Sequence, residues 1–187
     1  ILPRGLNKKR RERSIISRGH LRDRTNFLLN SSQKEAVEQI SQAEGSVLLH
    51  GITGSGKTAV YIESALRTIA SGKSVIVLVP EIALTSQVIA EFAQHFDNLL
   101  VTHSHQTEAE RHLVWKQALT SDRPAVVIGP RSALFTPLTK IGLIIIDEAH
   151  EPSFKQEQSP RYSALRTAKI LANAHHATLV MGSATPS

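Results

Sequence analysis

The sequence predicts an α/β fold: a mostly parallel sheet with helices on both faces. Two observations carry that prediction. Short apolar runs recur at 46–50 (SVLLH), 74–79 (SVIVLV), 99–103 (LLVTH), 125–129 (AVVIG), 143–147 (LIIID) and 178–182 (TLVMG), with helix-forming stretches between them. Runs without an in–out alternation belong to strands buried on both faces, and parallel neighbours need crossover helices. The second observation is that the polar motifs follow the strands. Open α/β sheets bind ligands at the carboxyl ends of their strands.

The elements can be justified in order. Residues 1–30 hold nine of the 22 Lys and Arg against only Glu12 and Asp23, while the whole chain carries +6. The excess positive charge therefore belongs to an arm. "NKKRRER" shows no apolar periodicity and reads as solvated and poorly ordered. It can contact nucleic-acid phosphates or serve as a solubilising linker. This divides the chain into a basic arm, 1–27, and a folded domain, 28–187. Ser32-x-x-Glu35 forms a capping box for a helix to about Ala43, with Ala36, Val37 and Ile40 on one face. A second helix runs from Lys57 to about Ala70, with Tyr61 as a packing residue. A third spans 83–96 with Val88, Ile89, Phe92 and Phe96 inward. Thr107-x-x-Glu110 caps a fourth to about Leu119, where Trp115 and Leu119 share the apolar side and are expected to pack in a core or against a neighbouring lobe. His175-His176 reads as the end of a last helix.

Composition narrows the chemistry. There is no Cys, which excludes disulfides and cysteine-ligated zinc. His103, His105 and His112 lack acidic partners at metal-site spacing. No apolar run approaches the roughly 20 residues of a membrane helix, and no signal-peptide core follows the basic arm. The expectation is a soluble, cytoplasmic protein.

Two motifs bear the chemistry. "GITGSGKT", Gly51 to Thr58, matches G-x-x-x-x-G-K-[ST] after a strand and at the start of a helix. Gly51, Thr53, Gly54, Ser55 and Gly56 supply a loop whose backbone N–H groups turn toward phosphate. Lys57 adds a point charge, and Thr58 a hydroxyl for Mg²⁺. "LIIIDEAH" ends a strand with Asp147, suited to holding Mg²⁺ through water, and Glu148, free to polarise an attacking water. The adjacent acids favour a hydrolase over a kinase.

With "VLVPEIALTSQ" (77–87), "VVIGPRSALFTPL" (126–138) and "GSATPS" (182–187) in the same order, the chain resembles superfamily 2 helicases. "PEIALT", "RSALF" and "FKQEQSPRY" resemble in particular the bacterial primosomal replication-restart helicases. The resemblance covers about 28–187. It implies the first RecA-like lobe of an ATP-dependent, 3′-to-5′ DNA helicase acting in replication restart and primosome assembly. The implied cofactors are ATP and Mg²⁺, with no zinc. The implied partners are single-stranded or forked DNA, a second helicase lobe, other primosome proteins and single-strand binding protein. The chain then reads as an upstream linker with a first lobe, cut from a longer protein. The alternative is a nucleotide-binding module of another superfamily 2 translocase, inactive without a partner lobe.

By matching position, the resemblance implies that Gln33 reads adenine. It implies that His150, Ser183 and Thr185 link the γ-phosphate region to DNA-binding and interlobe contacts, with these hydroxyls facing His150. Thr85, Gln87, Arg131 and Ser132 match segments that contact the DNA backbone. Phe154 and Tyr162 match an aromatic-rich loop that senses single-stranded DNA. Pro130, Ala149 and Pro160 depart from the usual Thr, Glu and Trp of these motifs.

Overall fold

The computed structural model describes residues 28–52 and 54–184. The basic arm, Thr53 and Thr185 lie outside the described residues. The sheet is six-stranded and wholly parallel, in the order β1-β8-β5-β2-β4-β3. Its strands are β1 (Ser46–His50), β2 (Ser74–Leu78), β3 (Leu99–Val101), β4 (Val126–Gly129), β5 (Ile141–Ile146) and β8 (Thr178–Ser183). All six coincide with the predicted apolar runs to within a few residues.

The apolar strands bury both faces, as their lack of alternation requires. Ile76 and Leu78 of β2 point into one core with Val127, Ile144 and Ile146. Val75 and Val77 point into the opposite core with Val126, Leu143 and Ile145. Full burial of such a side chain is worth about 1.5–3 kcal/mol, so an all-apolar strand stabilises two layers at once. Helices α1 (Ser31–Gln42), α2 (Lys57–Ala70) and α3 (Ser86–Ala93) cover the second core, while α4 (Glu108–Thr120) and α5 (Ala164–His175) cover the first.

Several local expectations are corrected. Helix α1 is capped by Asn30, not Ser32: Asn30 Oδ1 accepts from Gln33 N at 2.9 Å, and Gln33 Oε1 accepts from Asn30 N at 3.0 Å. The predicted helix over 83–96 is broken. Glu81–Ala83 forms a 3₁₀ turn, and Thr85 caps α3 by accepting from Val88 N at 3.3 Å. Phe92 and Phe96 are both buried, with ring centroids 6.0 Å apart. The box of Thr107 and Glu110 does cap α4. Yet α4 buries only Ala118, and Trp115 and Leu119 are half-exposed rather than in the core. Helix α5 lays Ala164, Ala168 and Ala172 on the sheet, a face of small residues that brings it close to β5. Sequence reading located only its end, where His176 adopts a left-handed φ of 51°. A small antiparallel hairpin, β6 (Lys155–Gln156) and β7 (Tyr162–Ser163), was not expected.

The strand order divides the carboxyl edge. The exits of β1, β8 and β5 adjoin one another, as do those of β2, β4 and β3.

Candidate active site

The first half gathers the two motifs. The loop after β1 is tied to β8, since Gly51 N donates to Ser183 O at 3.1 Å. Gly54 and Gly56 take left-handed φ values of 79° and 81°, which glycine adopts without strain. Space is equally restrictive: a Cβ on Gly51 would lie 2.6 Å from Ser55 Oγ, and one on Gly56 would run into Gln33 Nε2. Gly56 is also the N-cap of α2, and no side chain caps that first turn. Gln33 spans from the α1 cap to this loop, donating through Nε2 to Ser55 O at 3.2 Å. Thr58 is the second residue of α2.

Lys57 faces the loop and the acidic motif together. Its Nζ donates to Gly51 O at 2.7 Å and lies 3.6 Å from Glu148 Oε1. Asp147 leaves β5 with its N–H bonded to Leu78 O at 2.9 Å. Its Oδ1 accepts from the Tyr61 hydroxyl at 3.0 Å. Burial pushes the Asp147 carboxyl above its ordinary range, against the lowering effect of the Tyr61 hydrogen bond. Burial and then the neighbouring Asp147 raise the Tyr61 phenol. Tyr61 packs as the sequence predicts, buried at 2% exposure, but it also holds the motif's first carboxylate. Its position four residues after Lys57, on the same helical face, was the available signal.

Glu148 has a φ of 47°, a conformation an L-residue adopts at some cost. The turn is fixed by Ala149 N to Gly182 O and Glu151 N to Glu148 O, each 2.8 Å. It aims Glu148 Oε2 toward His150 Nδ1, at 3.6 Å. His150 Nδ1 in turn lies 3.1 Å from Ser183 Oγ, the facing expected from sequence. Lys57, Asp147, Glu148, His150 and Ser183 thus meet at one mouth.

The second half holds a cavity of about 440 Å³. It opens between α4, the 3₁₀ turn Arg131–Phe135 after β4, and the β6–β7 hairpin. Arg131 donates to Ser153 O and to Gln156 Oε1, so its guanidinium ties the hairpin to the turn. Ser132, Thr85 and Gln87 are exposed nearby in the chain's second half-edge. Tyr162 is half-buried and meets Phe135 edge-on, with centroids 5.1 Å apart at 78°. Phe154 contradicts its expected contact with DNA. At 1% exposure it is a core residue, and a ring so buried cannot stack on a base. Phe135, not singled out from the sequence, is 55% exposed at the rim of this cavity.

Comparison with known proteins follows from this geometry. A family model described as DEAD/DEAH box helicase matches residues 30–187. The chain is 45% identical over 163 residues to replication restart protein PriA of Synechocystis sp., covering 85% of this chain and 20% of that protein. It is 42% identical over 185 residues to PriA of Treponema pallidum, covering 96% of this chain and 28% of that protein. It therefore spans between about a fifth and somewhat over a quarter of these relatives' length. A structure of RecG bound to a three-way DNA junction superposes with a TM-score of 0.61 at 24% identity, covering 86% of this chain and 21% of that one. That likeness shows the fold, a RecA-like α/β domain.

Proposed function

The chain belongs to the DEAD/DEAH box helicase family, and we propose that residues 28–187 are the ATP-binding lobe of a 3′-to-5′ DNA helicase that acts in replication restart. The observation that carries this is the meeting of Lys57, Asp147 and Glu148 at the exits of β1 and β5. The residues fit Mg-ATP. The glycine loop turns too tightly for side chains at Gly51 or Gly56, which would meet Ser55 or Gln33, it opens to free space at Gly54, and the first turn of α2 has no side-chain cap.

Lys57 sets a positive charge against the outer phosphates. Thr58 and Asp147 hold Mg²⁺, with Asp147 kept in place by Tyr61. Glu148 orients the attacking water and takes its proton. Bound Mg-ATP supplies the phosphoanhydride whose cleavage drives movement. Gln33 braces Ser55 and reads adenine. His150 and Ser183, with Thr185 beyond, carry the state of the site toward a second lobe. Thr85, Gln87, Arg131 and Ser132 face the strand, with Tyr162 beside them. Single-stranded or forked DNA, other primosome proteins and single-strand binding protein are the partners proposed from similarity to PriA. A cytoplasmic place follows from that role. Among the described residues no helix is long and apolar enough to cross a membrane.

Calorimetry with Mg-ADP tests the reading. Lys57→Ala removes a charge-assisted hydrogen bond worth about 1.5–3 kcal/mol, so affinity should fall by roughly 10- to 150-fold. Glu148→Gln should bind as the parent does, and should abolish hydrolysis in a two-lobed protein. Equal affinity for Lys57→Ala and parent would place the site elsewhere.

A further inference from the structure

The cavity on the second half of the edge is assembled from parts that the nucleotide chemistry does not use. Its floor is the exits of β2, β3 and β4, and its walls are α4, the Arg131–Phe135 turn and the β6–β7 hairpin. We propose that it receives one unstacked nucleobase of a bound single strand, with Trp115 and Phe135 as the stacking rings. This rests on the reading of the chain as a lobe that engages DNA.

Three features point to a base. The first is flat apolar surface left in water. Trp115 is 50% exposed and Phe135 55% exposed, although both stand beside well-formed cores. Helix α4 does not need Trp115 for anchorage, because Ala118 is the residue it buries. A base stacked on an aromatic ring gains roughly 1–3 kcal/mol whatever its identity.

The second feature is preorganisation. The Trp115 indole N–H donates to Phe135 O at 3.3 Å, so one hydrogen bond fixes the two rings relative to each other. Tyr162 supports the Phe135 ring edge-on at 5.1 Å. Arg131 locks the hairpin through Ser153 and Gln156. Rings already held in place lose little freedom on binding. The cavity's roughly 440 Å³ lies within the range of about 300–1,000 Å³ that small ligands occupy.

The third feature is charge. Arg111 and Arg131 line the cavity, the latter also bonded to the hairpin at Ser153 and Gln156. The one carboxylate on the lining, Glu81, accepts from Ser104 N at 3.0 Å, so the two arginines leave the lining with an excess of positive charge. Glu110 is likewise engaged in its capping box. Cations at the rim with rings inside suit a phosphodiester strand that turns one base inward. The pocket shares one wall with the sensing loop implied by resemblance, through Gln156, Pro160 and Tyr162, while its proposed stacking rings, Trp115 and Phe135, come from α4 and the 3₁₀ turn.

Trp115 is the one tryptophan of the chain, so its emission reports on this cavity alone. The chain is titrated at low salt with end-labelled oligothymidylate and with an abasic strand of equal length and charge. Anisotropy of the label reads binding, and tryptophan emission reads stacking. Both strands should bind, and only oligothymidylate should quench Trp115. Phe135→Ala should weaken oligothymidylate by about 5- to 150-fold, the range that stacking energy converts to, and leave the abasic strand unchanged. Since Phe135 is exposed, circular dichroism of the variant should match the parent. Equal affinity for both strands without quenching overturns the pocket and leaves the DNA reading standing. Failure of both strands to bind overturns the DNA reading, and the pocket with it. Quenching by polyglutamate but not by oligothymidylate would assign the cavity to an acidic peptide and overturn the proposal.

Discussion

Gly182→Ala is the smallest change that tests how the acidic motif is held. Gly182 lies in β8 between the two motifs, and its carbonyl accepts from Ala149 N at 2.8 Å. Its φ is one that alanine can adopt, so the cost is steric. A Cβ there would run into the Tyr61 hydroxyl and lie 3.0 Å from Tyr61 Cζ and 3.3 Å from Asp147 Oδ1. Tyr61 is buried and cannot swing into solvent. Overpacking of this kind costs about 1–3 kcal/mol. Displacing the hydroxyl also strains or breaks its bond to a carboxylate, worth about 1.5–3 kcal/mol. The single variant should therefore lose roughly 2.5–6 kcal/mol, a large share of the 5–15 kcal/mol of a typical domain. Tyr61→Phe removes the clashing atom together with the hydrogen bond. In that background the Cβ meets only the ring carbon and Asp147 Oδ1, contacts that small shifts relieve, and Gly182→Ala should cost about 1 kcal/mol. Urea unfolding of the four proteins, followed by circular dichroism without nucleotide, gives the coupling. We expect about 1.5–5 kcal/mol of non-additivity. Additive effects within ~0.5 kcal/mol would show that Tyr61 and Gly182 do not meet, and would refute the reasoning.

Two further outcomes follow from the same geometry. Phe154→Ala should destabilise the domain by about 3–5 kcal/mol in urea unfolding, as loss of a buried ring does, whereas Tyr162→Ala should cost clearly less. The Glu110 carboxyl is held below its usual 4.5 by hydrogen bonds from the Thr107 backbone and hydroxyl. Its cap on α4 is therefore fully present above that value and is lost as pH falls through the lowered one. A carboxyl-detected NMR titration should show Glu110 titrating below 4.5, and a midpoint at or above that value would contradict the box.

The strands were legible because burial on both faces leaves a local mark, an apolar run without alternation. The glycine loop and the acidic motif were legible for a related reason: each is a contiguous piece of backbone with fixed requirements. Where the local signal was degenerate, sequence reading erred. Asn30-x-x-Gln33 and Ser32-x-x-Glu35 are overlapping capping boxes, and only the fold selects the first. The apolar period of 83–96 hid Thr85, whose hydroxyl competes for the helix's own N–H groups. The Ala164–Ala168–Ala172 face of α5 carries little hydropathy to detect. Other errors concern direction. Trp115 and Leu119 do share a helical side, but nothing local says that this side faces outward. Tyr61 and Asp147 are 86 residues apart, and only the sheet brings them to 3.0 Å.

The segment 147–163 explains how one fold can serve both halves of its edge. It begins at Asp147, whose N–H is bonded to Leu78 O on β2, the strand at the border between the halves. The left-handed turn at Glu148 sends His150 back toward Ser183 on β8. The chain then passes through the 3₁₀ turn Pro152–Phe154 and into the β6–β7 hairpin, which Arg131 grips at Ser153 and Gln156. Seventeen residues thus join the carboxylate of one half to the rim of the other. Between the two lies Phe154, sunk into the core with Ala133, Leu134 and Ala164. A loop with ends that face different sites and a middle that is solvated would let each end move alone. Burying its middle removes that independence, since displacing either end must work against a close-packed ring. In this segment the aromatic residue serves the cavity rim best by staying inside, where it makes the turn at Glu148 and the grip of Arg131 parts of one rigid body.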